Sequence, residues 1–310
     1  MDEPHLQQLL RHISLRQLQI FEAIARLNGF TRASEELHLS QPTVSMQMKK
    51  LESNVGLPLF EQMGKQIFLT DAGKMLLTHT RQVLDALSNA EMEIADMKGL
   101  KTGTLKLAVV TTAKYFAPRA LGKFCERYPG VDVALKVTNR ERLLERLSQN
   151  IDDLYIIGRP PKSDDVEFEP YMANPLVVLA SRSHRLYGQR NIKPEQLAQY
   201  PFLTRESGSG TRMAAEEFFS KRGIKLNVRM ELGSNEAIKH AIDAGLGISI
   251  LSRHALALEG TEGRLTILDV KGFPLQWQWH VGHGKGKQLS IIAKTFLHFI
   301  KTESDNIMRA

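Results

Sequence analysis

One cysteine, Cys125, stands in a chain of 310 residues. A single thiol excludes an intrachain disulfide and a multi-cysteine zinc site, leaving an inert thiol in a reducing compartment as the default. Long apolar runs are missing as well. None approaches the ~18 residues needed to span a bilayer, and the opening MDEPHLQQLLRH lacks the basic start and apolar run of a secretory leader. A cytoplasmic location with no membrane partner is the expectation. Catalytic fingerprints are also wanting. GSGT at Gly208 does not satisfy G-x-S-x-G, no G-x-x-x-x-G-K-[ST] loop occurs, and GLGIS at Gly245 stops short of G-x-G-x-x-G. His280 and His283 have H-x-x-H spacing but no evident third ligand. No catalytic residue, metal site or required cofactor is expected.

What the chain does carry is FTRASEELHLSQPTVSMQMKKLE, Phe30 to Glu52. Thr31 is expected to cap a first short helix, His38-Leu39 breaks the pattern, and Ser40 offers a second N-cap with Pro42 in the first turn. Two caps so close predict a helix-turn-helix. Projection at the helical angle puts Val44, Met48, Leu51 and Val55 on one buried stripe. The opposite face carries Pro42, Ser45, Met46, Lys49, Lys50 and Ser53, with Thr43 to one side and Ser40 and Gln41 at the start. Hydroxyls suit base edges and ammonium groups suit phosphates, so this face fits a DNA major groove. Met46 is open to two readings, a chance exposed residue or a contact to thymine methyls.

The flanks argue against an ordinary helical corner. Leu15, Leu18, Phe21, Ile24 and Ala25 recur at helical spacing in front, and Gly64-Lys65 separates two apolar runs behind, as in a two-stranded wing. Charge adds little. Residues 1–100 hold 10 Lys and Arg against 12 Asp and Glu, while residues 101–310 hold 31 against 22 and so carry the whole surplus behind the net +7. DNA affinity must then come from the placement of Arg32, Lys49, Lys50 and Lys65.

From Asp71 a single long helix is expected to run to about Gly99. Leu76, Val83, Ala90 and Met97 recur every seven residues, with Thr80, Leu87 and Ile94 interleaved, as in a short coiled-coil seam. A hinge follows at 100–104. Beyond it, LKLAVV (105–110), VDVALKV (131–137), DLYIIG (153–158), PLVVLA (175–180), PFLT (201–204), VRMEL (228–232) and ISIL (248–251) alternate with helical patterns, which predicts parallel α/β sheets in two lobes. Ligands in such sheets sit beyond strand ends, where helix N-termini present free amides. Thr111, Thr112 and Lys114 follow one strand, while Arg205, Glu206, Gly208, Ser209, Gly210, Thr211 and Arg212 follow another. Guanidiniums favour phosphate or carboxylate, so an anionic metabolite is expected. Asn235 and Glu236 are candidates for its polar tail, with Asn139, Arg140, Gly158 and Arg159 at the rim.

These motifs carry a resemblance. FTRASEELHLSQPTVS, the LEXXXGLPLF pattern at Leu51 to Phe60 and LTDAG at Leu69 to Gly73 resemble LysR-type bacterial transcription regulators. REXGSGTR at Arg205 to Arg212, SNEAIKHAIDAGLGIS from Ser234 to Ser249 and the late Leu289-Ser290 are similar to the branch that controls Rubisco and carbon-fixation operons. The resemblance implies an N-terminal all-α winged helix-turn-helix over 1–70, a linker and dimerisation helix over 71–99, and a C-terminal α/β two-lobed domain similar to periplasmic binding proteins over 105–310. Lobe I would take about 105–174 and 275–310, and lobe II about 175–274. It further implies double-stranded promoter DNA with an imperfect dyad as partner, a dimer or dimer of dimers, RNA polymerase as a further partner, an activator role, and a phosphorylated metabolite or NADPH as effector. Many relatives carry arginine where this chain has Met46 and Gln62, so base contacts do not carry over there. The competing class is a cytoplasmic small-molecule binder or enzyme with a helical dimerisation arm.

Overall fold

The computed structural model describes residues 12–64, 66–97, 102–256 and 263–309, which leaves Lys65 and part of the expected hinge outside the described residues. The chain divides into two compact units, Met1–Glu91 and Met92–Ala310.

The first unit opens with α1, Leu15–Leu27. Ser14 Oγ accepts from Gln17 N at 3.2 Å and Gln17 Oε1 accepts from Ser14 N at 3.0 Å, so two end groups are satisfied reciprocally. The buried stripe is rotated from the one expected: Gln17, Ile20, Phe21, Ala23 and Ile24 are inside, whereas Leu15 is exposed. Gln17 tolerates burial because its amide also donates to Gln47 Oε1 at 3.3 Å. Helix α2, Phe30–Glu36, is capped by Gly29 rather than Thr31, which lies exposed within the first turn. His38, at φ 53°, turns the chain into α3, Gln41–Val55. Ser40 Oγ caps α3 by accepting from Thr43 N at 3.3 Å, Pro42 sits in the first turn, and Gly56 at φ 76° ends it. Val44, Met48 and Leu51 join Ile20, Phe21, Ile24, Ala33 and Leu59 in one core. Each large side chain buried there contributes roughly 1.5–3 kcal/mol.

Strands β1, Phe60–Met63, and β2, Gln66–Leu69, form an antiparallel wing. Glu52 at the end of α3 holds its entry by accepting from Leu59 N at 2.8 Å and Phe60 N at 3.3 Å. Helix α4 then runs over Asp71–Met97. Thr70 Oγ1 accepts from Gly73 N at 3.0 Å and donates to Pro58 O at 2.7 Å, joining the start of α4 to the entry of the wing. A Cβ on Gly73 would lie 2.1 Å from Leu59 O, so only glycine allows that approach. Along α4 the seam residues Val83, Leu87 and Ile94 are 42%, 43% and 55% exposed.

In the second unit, lobe I holds β3 (Gly103–Val110), α5 (Ala117–Arg127), β4 (Val131–Thr138), α6 (Arg140–Ser148), β5 (Leu154–Ile157) and β6 (Val166–Ala173). The strand β3 begins two residues before the apolar run that announced it. Lobe II holds β7 (Leu176–Ser181), α7 (Pro194–Leu197), β8 (Pro201–Arg205), α8 (Gly210–Ser220), β9 (Asn227–Leu232), α9 (Asn235–Asp243), β10 (Ser249–Ser252) and β11 (Leu265–Ile267). The chain returns to lobe I through β12 (Gln278–Gly284) and α10 (Ile291–Arg309).

Neither sheet is purely parallel, against expectation. Lobe I has the order β4-β3-β5-β12-β6, with β3 parallel to β4 and β5 but β12 antiparallel to β5 and β6. The returning strand enters from the crossover side, which reverses it. In lobe II β7 lies antiparallel between β10 and β11, β8 pairs parallel with β9, and Leu203 N donates to Ile248 O at 2.8 Å to link the three strands with the pair. The two crossovers run side by side, Asn174 N donating to Trp277 O at 2.7 Å and Leu176 N to Leu275 O at 3.0 Å. No helix among the described residues is long and apolar enough to cross a membrane.

Candidate functional site

The candidate DNA-reading face is the outer side of α3. Gln41, Pro42, Met46, Lys49 and Lys50 are exposed, Ser40 is exposed at the cap, and Thr43 and Ser45 are half-buried. Gln41 Nε2 reaches Ser45 Oγ at 3.4 Å, and Ser40 Oγ lies 2.7 Å from Thr43 Oγ1. Met46, 59% exposed, therefore stands among hydroxyls and amides with lysines one turn on. Arg32, exposed on α2, donates to Asn28 O at 2.8 Å. The reading face thus presents short donors and acceptors between cations, able to meet base edges and phosphates together.

The expected effector residues separate into two groups. The first closes on itself. Arg205 is 2% exposed, and its guanidinium donates to Glu206 at 2.7 and 2.9 Å, to Thr111 Oγ1 at 3.1 Å and to Asn235 Oδ1. Each of its three nitrogens donates to a protein acceptor, so Arg205 is an internal tie and not the free anion ligand that its loop suggested. Glu236 extends the tie across the lobes. It accepts from Tyr115 OH at 2.7 Å and pairs with Lys114 at 3.2 Å and Lys239 at 2.6 Å. Burial pushes the Glu236 carboxyl up, but hydrogen bonds from Lys239, Tyr115 and Lys114 outweigh that and bring it down to about 2. Arg212 is also engaged, with Glu216 at 2.7 Å and Glu231 at 2.5 Å. Its partners lie on α8 and β9, and it does not line the cleft.

The second group does line a pocket. Thr112, Arg140, Gly158, Arg159, Asn174, Gly210, Thr211 and Trp277 surround a cavity of about 30 Å³ between the lobes, without a single carboxylate in its wall. Ser209 is the N-cap of α8 and makes no side-chain cap, which leaves the first amides of that helix facing the pocket region. Arg140 Nε donates to Arg159 O at 3.0 Å. Burial, and then the neighbouring Arg159 charge, press the Arg140 pKa down. Arg140 has no carboxylate partner among the described residues, and Arg159 pairs with Glu217 at 2.6 Å outside this wall, so Arg140 is the free charge that makes the pocket a candidate anion site. Thr112 Oγ1 accepts from the Trp279 indole at 3.1 Å. Asn139 caps α6 by accepting from Arg142 N at 3.0 Å. The lobes also meet through backbone: Glu141 N donates to Gly208 O at 3.2 Å, and Gly208, at φ 79°, has no room for a side chain beside Glu141.

Two comparisons bear on this two-unit arrangement. The model described as bacterial regulatory helix-turn-helix protein, lysR family, matches residues 15–74, and that described as LysR substrate binding domain matches residues 98–305. The chain belongs to the LysR family. It is a DNA-binding transcription regulator. Over 291 residues it is 52% identical to the HTH-type transcriptional activator CmpR of Synechocystis, covering 94% of this chain and 96% of that one. It is 48% identical, over 94% of both chains, to the RuBisCO operon transcriptional regulator of Acidithiobacillus ferrooxidans. Among solved structures, the Synechocystis CcmR regulatory domain in complex with 2-PG is 50% identical, with a TM-score of 0.64 over 66% of this chain and 99% of that one. A full-length, single-site variant of OxyR from Pseudomonas aeruginosa, at 22% identity and a TM-score of 0.75 over 96% and 95% of the two chains, shares the fold.

Asn174 and Trp277 line the pocket and were missed from sequence. Alternation alone would place Trp277 and Trp279 on one face, but β12 begins only at Gln278, so Trp279 enters the lobe I core while Trp277 stays at the crossover. Asn174 had none, since its neighbour Trp277 is brought to it only by the second crossover. Among the described residues, no group of three His, Cys, Asp or Glu side chains could hold a metal, and this includes the His280 and His283 pair.

Proposed function

We propose that this LysR-family regulator controls carbon-fixation genes and answers to a small phosphorylated anion in the inner pocket. The observation that carries the reading is that pocket's wall, with Arg140, Arg159, Thr112 and the start of α8 converging and no carboxylate among them. The names of its relatives support the gene class, and 2-PG in the CcmR regulatory domain supports the ligand class. No catalytic step is required, and the expected setting is the cytoplasm. The anion accepts from the first amides of α8 and from Arg140, while Thr112 and Thr211 position it.

A cavity of about 30 Å³ holds little more than one water, so entry of such an anion requires the lobes to part. Binding thereby favours a different lobe spacing. The exposed stripe of Val83, Leu87 and Ile94 supports pairing of two α4 helices, which would place two readers on the half-sites of a dyad. Calorimetric titration of 2-PG into wild type and Arg140→Ala tests the pocket. A charge-assisted bond contributes roughly 1.5–3 kcal/mol, so the variant should bind about 10- to 100-fold more weakly. Equal affinities would remove Arg140 from the site, and NADPH displacing bound 2-PG would enlarge the ligand class.

A further inference from the structure

A second cavity of the regulatory unit is larger than the inner pocket. A groove of about 590 Å³ opens on the far side of Arg159, between the outer face of α8 and the crossover that leads into β12. Arg159 and Trp277 belong to both cavities, and the ion pair from Arg159 to Glu217, at 2.6 Å, stands between them. The wall of the groove holds three cations, Arg159, Lys221 and Arg222, against one carboxylate, Glu217. That carboxylate is shared, since Lys221 pairs with it at 2.8 Å as well.

Arg222 is the uncommitted charge. Its guanidinium lies 3.8 Å from the centre of the Phe218 ring and donates to Phe218 O at 2.9 Å, and no carboxylate among the described residues pairs with it. The ring and the carbonyl fix the guanidinium plane and leave its remaining donors to solvent. Across the groove, the side-chain amides of Gln276 and Gln278 are exposed and make no hydrogen bond among the described residues. Cavities of about 300–1,000 Å³ accommodate small organic ligands, and this one joins an excess of positive charge to two free amides.

We propose that this groove is a second ligand site, for an organic phosphate with a hydroxyl-bearing body of sugar size. Its phosphate lies on Arg222 and Lys221, and its hydroxyls exchange hydrogen bonds with Gln276 and Gln278. The charge excess selects the phosphate, and the amides, each a donor and an acceptor, select the polyhydroxylated body. Arg159 couples the two sites. An anion in the inner pocket that engages Arg159 weakens its hold on Glu217, and Glu217 then remains with Lys221 at the edge of the groove.

The test uses the full chain and glucose 6-phosphate as probe, with glucose and inorganic phosphate as separate arms. Titration into protein without other ligand, and again into protein saturated with 2-PG, should show binding of glucose 6-phosphate in both cases and weaker binding of either fragment. The exposed substitution Arg222→Ala should weaken glucose 6-phosphate at least 10-fold and leave 2-PG within about 2-fold, with an unchanged melting temperature. Arg140→Ala should do the reverse. Glu217→Gln, which removes the competing carboxylate, should tighten the probe. Simple competition between glucose 6-phosphate and 2-PG, insensitivity to Arg222→Ala, or no binding at millimolar probe would overturn the second site. Failure of 2-PG to bind would instead count against the inner-pocket reading, because the probe titration without 2-PG does not depend on it.

Discussion

Replacing Glu236 by Gln isolates the tie that crosses the lobes from the start of α9 to Lys114 and Tyr115. The carboxyl of Glu236 falls from an ordinary 4.5 to about 2 because Lys239, Tyr115 and Lys114 all stabilise its charged form against the cost of burial. Such a fall would contribute at most about 3 kcal/mol at neutral pH. The Glu236 side chain is 43% exposed, so solvent screening brings the expected contribution to about 1 kcal/mol. A carboxyl with a depressed pKa contributes fully above about 4.5, and its contribution is lost as pH falls towards about 2. Gln keeps an acceptor for Tyr115 but not the charge that faces the two lysines.

Urea unfolding followed by tryptophan fluorescence reads this unit alone, because Trp277 and Trp279 are the only tryptophans and both lie in it. At neutral pH Glu236→Gln should lower stability by about 1 kcal/mol with an unchanged urea slope. Near pH 3 the gap between the two proteins should have narrowed to less than half. A gap that is absent at neutral pH, or that persists unchanged in acid, would refute the assignment of the charge network.

Three further outcomes follow from the DNA-binding unit. Lys49→Ala should weaken binding to operator DNA and reduce the salt slope of log K by about 0.9, as measured by fluorescence anisotropy across a salt series. Ser40→Ala removes the hydroxyl that caps α3 and should destabilise this unit by about 1 kcal/mol in thermal unfolding by circular dichroism. Leu87→Glu puts a charge on the exposed stripe of α4 and should convert a dimer to a monomer in analytical ultracentrifugation.

Local signals were legible and distant ones were not. The cap at Ser40, Pro42 after it and the buried stripe of Val44, Met48 and Leu51 depend on residues within a few turns, and they stand as read from sequence. The α1 stripe was misjudged because the burial of Gln17 depends on Gln47, which comes from another helix. The strand β6 went unseen because Pro170 interrupts its pattern, although a sheet edge tolerates the missing amide. In the cleft, a glycine- and serine-rich loop beginning with arginine spoke for an anion, and the start of α8 does face the pocket. The cation itself was misplaced. Arg205 is neutralised by Glu206 and held by Thr111 and Asn235, the last two far from it in sequence, while Arg140, set at the rim, lines the cavity with no carboxylate partner among the described residues. A sequence shows which side chains can hold an anion, but not which of them the fold has already neutralised.

The threonine at the start of α4 has a mechanical consequence. Thr70 ties the first turn of α4 to Pro58, and Gly73 brings its backbone against Leu59, so helix and wing share one rigid joint. The 27-residue helix beyond that joint is about 40 Å long. A shaft keyed to its load without slack transmits rotation about its axis as well as displacement along it. A twist of α4 by a given angle would therefore turn α3 and the wing by that same angle.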